Sequence, residues 1–179
     1  LARVVARKSA IDTIKARRVG SSLTGIDGTR GNASARVGCR FGDCEAGVLL
    51  TRAMLHACGT CDIAVFNGGG IRASLPRGNV SLAALNQMAP FEDTGARLRM
   101  TGALLWKVAR RAVQLGEGSG GFLQLAGVRI FAHRRNNPGR LLALQVLSEQ
   151  QQWVAVPDNN RTSYWVVTTF FLAHGGDGY

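Results

Sequence analysis

The sequence predicts a mixed α/β domain of the α+β class. Helical periodicity dominates the first half of the chain, strand-like apolar runs between turn signals dominate the second, and no segment repeats. At 179 residues and 46% apolar composition, the chain fits one domain with ample core material, plus at most a short appendage.

Residues 1–18 read as a helix, with Val4, Ile11 and Ile14 on one apolar stripe and Gly20 as its stop. A polar, glycine-spotted segment follows over 21–38, with a turn at Asp27-Gly28. A second helix runs from Ala46 to Ala57 and is expected to bury Leu49, Leu50, Ala53 and Met54. Asp62 to Phe66 reads as a buried strand. Ser81 caps a short helix over Leu82–Met88, ended by Pro90. Arg97 to Met100 is a short strand, and Thr101 caps a longer helix with Leu104, Leu105, Val108 and Val113 on one face. After a glycine-rich turn over Gly116–Gly121 come strand-like runs at Val128–Ala132, Leu141–Leu147 and Tyr164–Phe171. Turns at Asn136-Asn137-Pro138-Gly139 and Pro157-Asp158-Asn159-Asn160 separate them.

The net charge is +11, from 22 basic and 11 acidic residues, and only Lys8, Lys15 and Lys107 among the basic ones are lysine. Arginine suits bidentate pairing with phosphate or carboxylate, so an anionic partner fits, as does an arginine-rich genome composition. The arginines do not alternate with aromatics as in single-strand binders, so nucleic acid is not expected as a partner. No apolar run approaches the roughly 20 residues that span a membrane, and residues 1–10 lack a signal peptide's apolar region. The chain starts without Met and stops abruptly, and reads as a piece of something longer.

The segment Asn67-Gly68-Gly69-Gly70-Ile71-Arg72 directly follows the buried strand. Consecutive glycines let a backbone take positive φ and bring its N–H groups to a ligand, and the flanking amide and guanidinium suit a recognition loop. A strand-end turn with an ordinary surface arginine fits the same residues. Near the chain end, Phe171 is followed by Gly175-Gly176-Asp177-Gly178. An aromatic and then a carboxylate suit a planar base with a diol. A core phenylalanine and a turn aspartate are the plain alternative.

Catalytic apparatus is thin. His56, His133 and His174 lie far apart, the carboxylates are scattered singly, and no serine sits in a nucleophile elbow. The chain reads as built to bind. Cys39, Cys44, Cys58 and Cys61 form a C-x4-C then C-x2-C layout that could ligate zinc. Two local disulfides suit it better, because one pair closes a helix and the other encloses Arg40 and Asp43 in a tight loop. A Cys39–Cys44 bridge would stiffen the loop presenting Arg40, whereas a Cys58–Cys61 bridge is less determined.

Five motifs occur in order: Asn67 to Arg72, Pro90-Phe91, Thr101-Gly102 opening a helix, Phe122-Leu123-Gln124, and Phe171-Leu172-Ala173-x-Gly175-Gly176-Asp177-Gly178-Tyr179. Together they resemble the C-terminal domain of the 5′-nucleotidase and UDP-sugar hydrolase family, over about Ile11 to Tyr179. The resemblance implies a layered α/β/β/α domain that binds the nucleoside. It also implies that residues 1–18 are an interdomain linker helix and 19–179 the substrate-binding domain. A separate N-terminal metallophosphatase domain would hold two divalent metal ions, zinc or similar, so no metal or cofactor is expected in this chain. By position, Phe91 and Phe171 would sandwich the base, Asn67 would bond its edge and Asp177 the ribose hydroxyls. Arg40 and Arg72 would reach phosphate or ribose, with Gly69 and Gly70 giving close backbone approach. The Cys39 and Cys44 pair resembles a local disulfide of some members, which supports the oxidised reading.

The sequence departs from the family pattern at Val48, where an Asn is usual, at Arg52, where an Asp is usual, and at Thr169, where an Asn is usual. The expected function is nucleotide binding within a hydrolase that removes phosphate from nucleoside 5′-phosphates or cleaves nucleotide sugars and dinucleotides. A non-catalytic nucleotide-binding module of the same descent is the alternative. The ligand would be a nucleoside 5′-phosphate or a nucleotide sugar, and the setting extracellular, periplasmic or cell-surface.

Overall fold

A computed structural model describes residues 12–133 and 139–179. Its central element is a four-stranded sheet of order β4-β9-β2-β5. Here β2 is Ile63–Asn67, β4 Gly95–Thr101, β5 Leu123–Ala126 and β9 Ser163–Thr169. β2 and β9 run parallel, while β5 and β4 pair antiparallel with them on the outside. A three-stranded antiparallel sheet joins β6 (Val128–His133), β7 (Arg140–Leu147) and β8 (Trp153–Ala155). A two-stranded ribbon pairs β1 (Arg18–Ser22) with β3 (Gly78–Ser81).

The residues of β2 divide between two cores, as alternation along a strand requires. Ile63 and Val65 point into a cluster with Leu105, Ala109, Val128, Leu144, Val146, Val166 and Leu172. That cluster joins the four-stranded sheet to α3 (Gly102–Leu115) and to the three-stranded sheet. Phe66 packs on the second cluster, which holds Cys39, Cys44, Ala46, Ile71, Leu75, Val80 and Met88. On that side α1 (Glu45–Cys58) lies against β2, β5 and β9. The short α2 (Leu82–Met88) supplies Met88 there, and α4 (Phe170–Ala173) follows β9. The result is the mixed, layered arrangement the sequence predicts.

Ser81 and Thr101 do cap their helices, their hydroxyls accepting from the Ala84 and Leu104 amides at 3.2 Å each. Several expectations are corrected. The predicted helix over 1–18 falls mostly outside the described residues; 12–16 are helical, but Arg18 opens β1. Gly20 therefore lies inside a strand, because β3 recruits this polar segment from some 60 residues away. The face of α1 is also shifted. Its buried residues are Ala46, Gly47 and Thr51, and Leu49 and Ala53 are exposed. Small side chains win there because the helix approaches the sheet closely: a Cβ on Gly47 would lie 2.0 Å from the Gln124 side chain. On α3 the core takes Leu105 and Ala109, leaving Leu104 exposed.

The last strand ends at Thr169 rather than Phe171, since the Thr169 hydroxyl accepts from the Leu172 amide at 3.3 Å and turns the chain into α4. Both cysteine pairs, Cys39–Cys44 and Cys58–Cys61, are disulfides, which sets the zinc alternative aside. The predicted turn at 136–139 lies outside the described residues except for Gly139.

Candidate functional site

The parallel strands β2 and β9 end on the same edge of the sheet, where β4 and β5 begin. The carboxyl edge of parallel strands is where open α/β sheets hold ligands, because the connecting loops diverge there. A cleft of about 710 Å³ opens at this edge. Its lining includes Arg40, Asn67, Gly69, Gly70, Arg72, Phe91, Phe171 and Asp177, so every site residue chosen from sequence reaches one cavity. Leu50, Met54, Glu92, Asp93 and Thr169 line it as well.

Five segments deliver these side chains. Arg40 rides on the disulfide loop before α1, and Asn67 closes β2. Arg72 follows the glycines, Phe91 follows α2, and Phe171 and Asp177 follow β9. Phe91 is 56% exposed and Phe171 47% exposed, so neither ring is a core residue. The Phe171 ring lies against the Gly176 backbone, where a Cβ would sit 2.5 Å from it. The Arg72 guanidinium lies over the Phe91 ring with Cζ 4.9 Å from the centroid.

Asp177 adopts a left-handed backbone, φ 54° and ψ 14°, and Gly175 and Gly178 nearby also have positive φ. Aspartate tolerates this region better than bulkier residues. Three contacts hold the turn. The Asn67 Nδ2 donates to Asp177 Oδ2 at 3.0 Å, the Arg111 Nη2 donates to the Asp177 carbonyl at 3.1 Å, and the Tyr179 hydroxyl donates to the Gly121 carbonyl at 2.7 Å. Burial, helped by the Asp177 charge, pushes the Tyr179 phenol well above its ordinary value, with Arg111 opposing.

The glycine run works differently from the cradle the sequence suggests. Gly68–Gly70 form a single 3₁₀ turn, and none of them has positive φ. The Gly68 and Gly69 amides are spent on the Phe122 and Gly120 carbonyls, at 2.6 and 2.7 Å. What requires glycine is packing: a Cβ would meet the Cys39 carbonyl at 2.0 Å from Gly68, the Gly120 carbonyl at 2.7 Å from Gly69, and the Phe66 ring at 2.7 Å from Gly70. Gly69 and Gly70 still line the cleft, as its thin floor.

The cleft carries two guanidinium groups, Arg40 and Arg72, beside three carboxylates, Glu92, Asp93 and Asp177. Burial lowers the Arg40 pKa from its ordinary value, and the charges of Arg30 and Arg72 lower it further while Asp177 opposes them. The Arg40 Nε is buried without a hydrogen-bond partner. Among the described residues no group of three or more His, Cys, Asp or Glu could hold a metal ion.

Sequence reasoning missed the supports. Gln124 is buried, and its side chain accepts from the Cys44 amide at 3.1 Å and donates to the Cys39 and Gly42 carbonyls at 3.0 and 2.8 Å. It thereby anchors the loop that carries Arg40. A polar residue inside the run Phe122–Ala126 was the available signal. Asp93 accepts from the Phe171 amide, and Arg111 braces Asp177; neither has a local sequence signature.

The sequence profile of the 5′-nucleotidase C-terminal domain matches residues 19–179, and the chain belongs to that family. It is 35% identical over 159 residues to the NAD 5′-nucleotidase of Haemophilus influenzae, covering 83% of this chain and 26% of that protein. It is 31% identical over 174 residues to a trifunctional nucleotide phosphoesterase of Bacillus subtilis, covering 96% of this chain and 12% of that protein. The solved 5′-nucleotidase precursor of Thermus thermophilus superposes with a TM-score of 0.81 at 28% identity, over 98% of this chain and 34% of that one. The chain thus spans about a third or less of the relatives described here. The family is one of hydrolases, and no helix of the described residues is long and apolar enough to cross a membrane.

Proposed function

We propose that this domain binds the nucleoside part of a nucleoside 5′-phosphate or nucleotide sugar for a 5′-nucleotidase-type hydrolase. The observation that supports it most is the convergence of two exposed aromatic rings, the Asn67–Asp177 pair and two guanidinium groups on one cleft. Phe91 and Phe171 supply π faces for a base, Asp177 accepts from ribose hydroxyls, and Arg40 and Arg72 pair with phosphate. An anion would relieve the mutual repulsion of the arginines and give the Arg40 Nε a partner.

Asn67 already donates one Nδ2 hydrogen to Asp177, which leaves the other for a base edge. In this reading two divalent metal ions, zinc or similar, belong to an N-terminal metallophosphatase domain of the same polypeptide, where a metal-activated water would attack the phosphate. The two disulfides and the resemblance to venom and bovine 5′-nucleotidases favour an oxidising, extracytoplasmic setting.

The test is calorimetric titration of the 179-residue chain with adenosine, AMP, NAD and UDP-glucose, with a chelator present. Nucleoside-dependent heat should appear without metal and should fall at least fivefold in affinity in F91A and F171A. A chain that binds none of these ligands, or a double aromatic variant that binds adenosine as the parent does, would sink the assignment.

A further inference from the structure

We propose that Asp93 is a positioning residue that sets the gap between the Phe91 and Phe171 rings. The inference rests on the nucleoside-binding reading above. The two rings come from segments 80 residues apart, one on the irregular loop after α2 and one on α4. A base clamp works only if its walls stand at a stacking distance, so something must tie those segments together.

Asp93 makes that tie. Its amide donates to the Phe91 carbonyl at 2.7 Å, folding the loop tightly and fixing its carboxylate relative to the first ring. The carboxylate then accepts from the Phe171 amide, at 3.0 Å through Oδ2 and 3.3 Å through Oδ1. The neighbouring Phe170 amide donates to the Thr94 carbonyl at 2.7 Å, so two consecutive amides of α4 are held by two consecutive residues of the loop. α4 has four residues, far too few to hold its own geometry, and depends on such external acceptors. A hydrogen bond to an ionised carboxylate is the strong kind. Asp93 is exposed and also lines the cleft, and both of its carboxylate oxygens face the Phe171 amide.

The parent chain, D93A and D93N would be titrated with adenosine, which needs the clamp, and with ribose 5-phosphate, which has no base. Amide hydrogen exchange at Phe171 would be followed in parallel. D93A should lose adenosine affinity about three- to tenfold, the scale of one weakened stacking face, with ribose 5-phosphate affinity unchanged and the Phe171 amide exchanging faster. D93N, which keeps an acceptor oxygen, should restore most of both. Equal losses for both ligands would mean a collapsed loop and overturn the proposal, as would unchanged adenosine affinity in D93A or a D93N no better than D93A. A parent that binds no adenosine removes the nucleoside reading instead. The exchange rates then still decide whether Asp93 holds Phe171: unaltered protection in D93A refutes it.

Discussion

Gln124→Leu gives the sharpest test of how the cleft is held open. Leucine matches glutamine in bulk but can neither donate nor accept. The substitution would strand the Cys44 amide and the Cys39 carbonyl in a buried space, where Gln124 is 1% exposed, and take a donor from the part-buried Gly42 carbonyl. Each buried group left unpaired costs about 1–3 kcal/mol, and the apolar side chain recovers roughly 1 kcal/mol by transfer. Neighbours cannot readily fill in, because Gly47 on α1 crowds the side chain and a Cβ there would already overlap it. The net loss should be about 3 kcal/mol, which for a domain of this size lowers Tm by about 6–12 °C. Urea unfolding followed by tryptophan fluorescence would read it. Gln124→Glu should cost at least as much, since it aims a second acceptor at two carbonyls. Ribose 5-phosphate affinity should fall in the same variants, because the loosened loop is the one that carries Arg40. A loss below about 1 kcal/mol in Gln124→Leu would refute this account of the Arg40 loop.

Gly68→Ala should cost about 1–3 kcal/mol by overpacking against the Cys39 carbonyl at 2.0 Å, whereas Gly42→Ala, with open space around it, should stay within about 0.5 kcal/mol; urea midpoints compare them. Phe91→Ala should weaken ribose 5-phosphate binding about two- to fivefold although that ligand has no base, because Arg72 loses the ring beneath it, worth roughly 0.5–1 kcal/mol; Phe171→Ala should leave that affinity alone. Tyr179, whose pKa the fold raises, contributes stability that is complete below about pH 10 and declines as pH rises past it, because the unfolded chain ionises first. Tyr179→Phe should flatten that alkaline decline in a pH series of urea midpoints, while losing about 1 kcal/mol at neutral pH with the bond to Gly121. An unaltered alkaline slope would count against the assignment.

What the sequence reveals here is mostly local, and what it hides is mostly non-local. The caps at Ser81 and Thr101 and the buried strand before Asn67 are written in neighbouring residues, and they stand in the structure as expected. The side chains chosen from the ordered motifs meet in one cleft because β2 and β9 are parallel neighbours, a pairing that periodicity alone does not reveal. β1 escaped notice because Arg18–Ser22 is polar and acquires strand geometry only from β3. The packing role of Gly68–Gly70 is hidden for a similar reason: the atoms that demand glycine belong to Cys39, Gly120 and Phe66, and only the last is nearby in the chain. Thr169 caps α4 through its hydroxyl, which accepts from the Leu172 amide, a role that threonine shares with the other short polar residues.

The thin glycine floor has a consequence for how such a domain could change its tastes. Gly69 is wedged against the Gly120 carbonyl and Gly70 against the Phe66 ring, so drift at either position costs folding before it can be felt in selectivity. The loop after α2 is freer: Phe91 and Glu92 are exposed, and both line the cavity. New ligand preferences should therefore accumulate on one bank of the cleft while the other stays fixed, and a library meant to retune the domain belongs at positions 91 and 92.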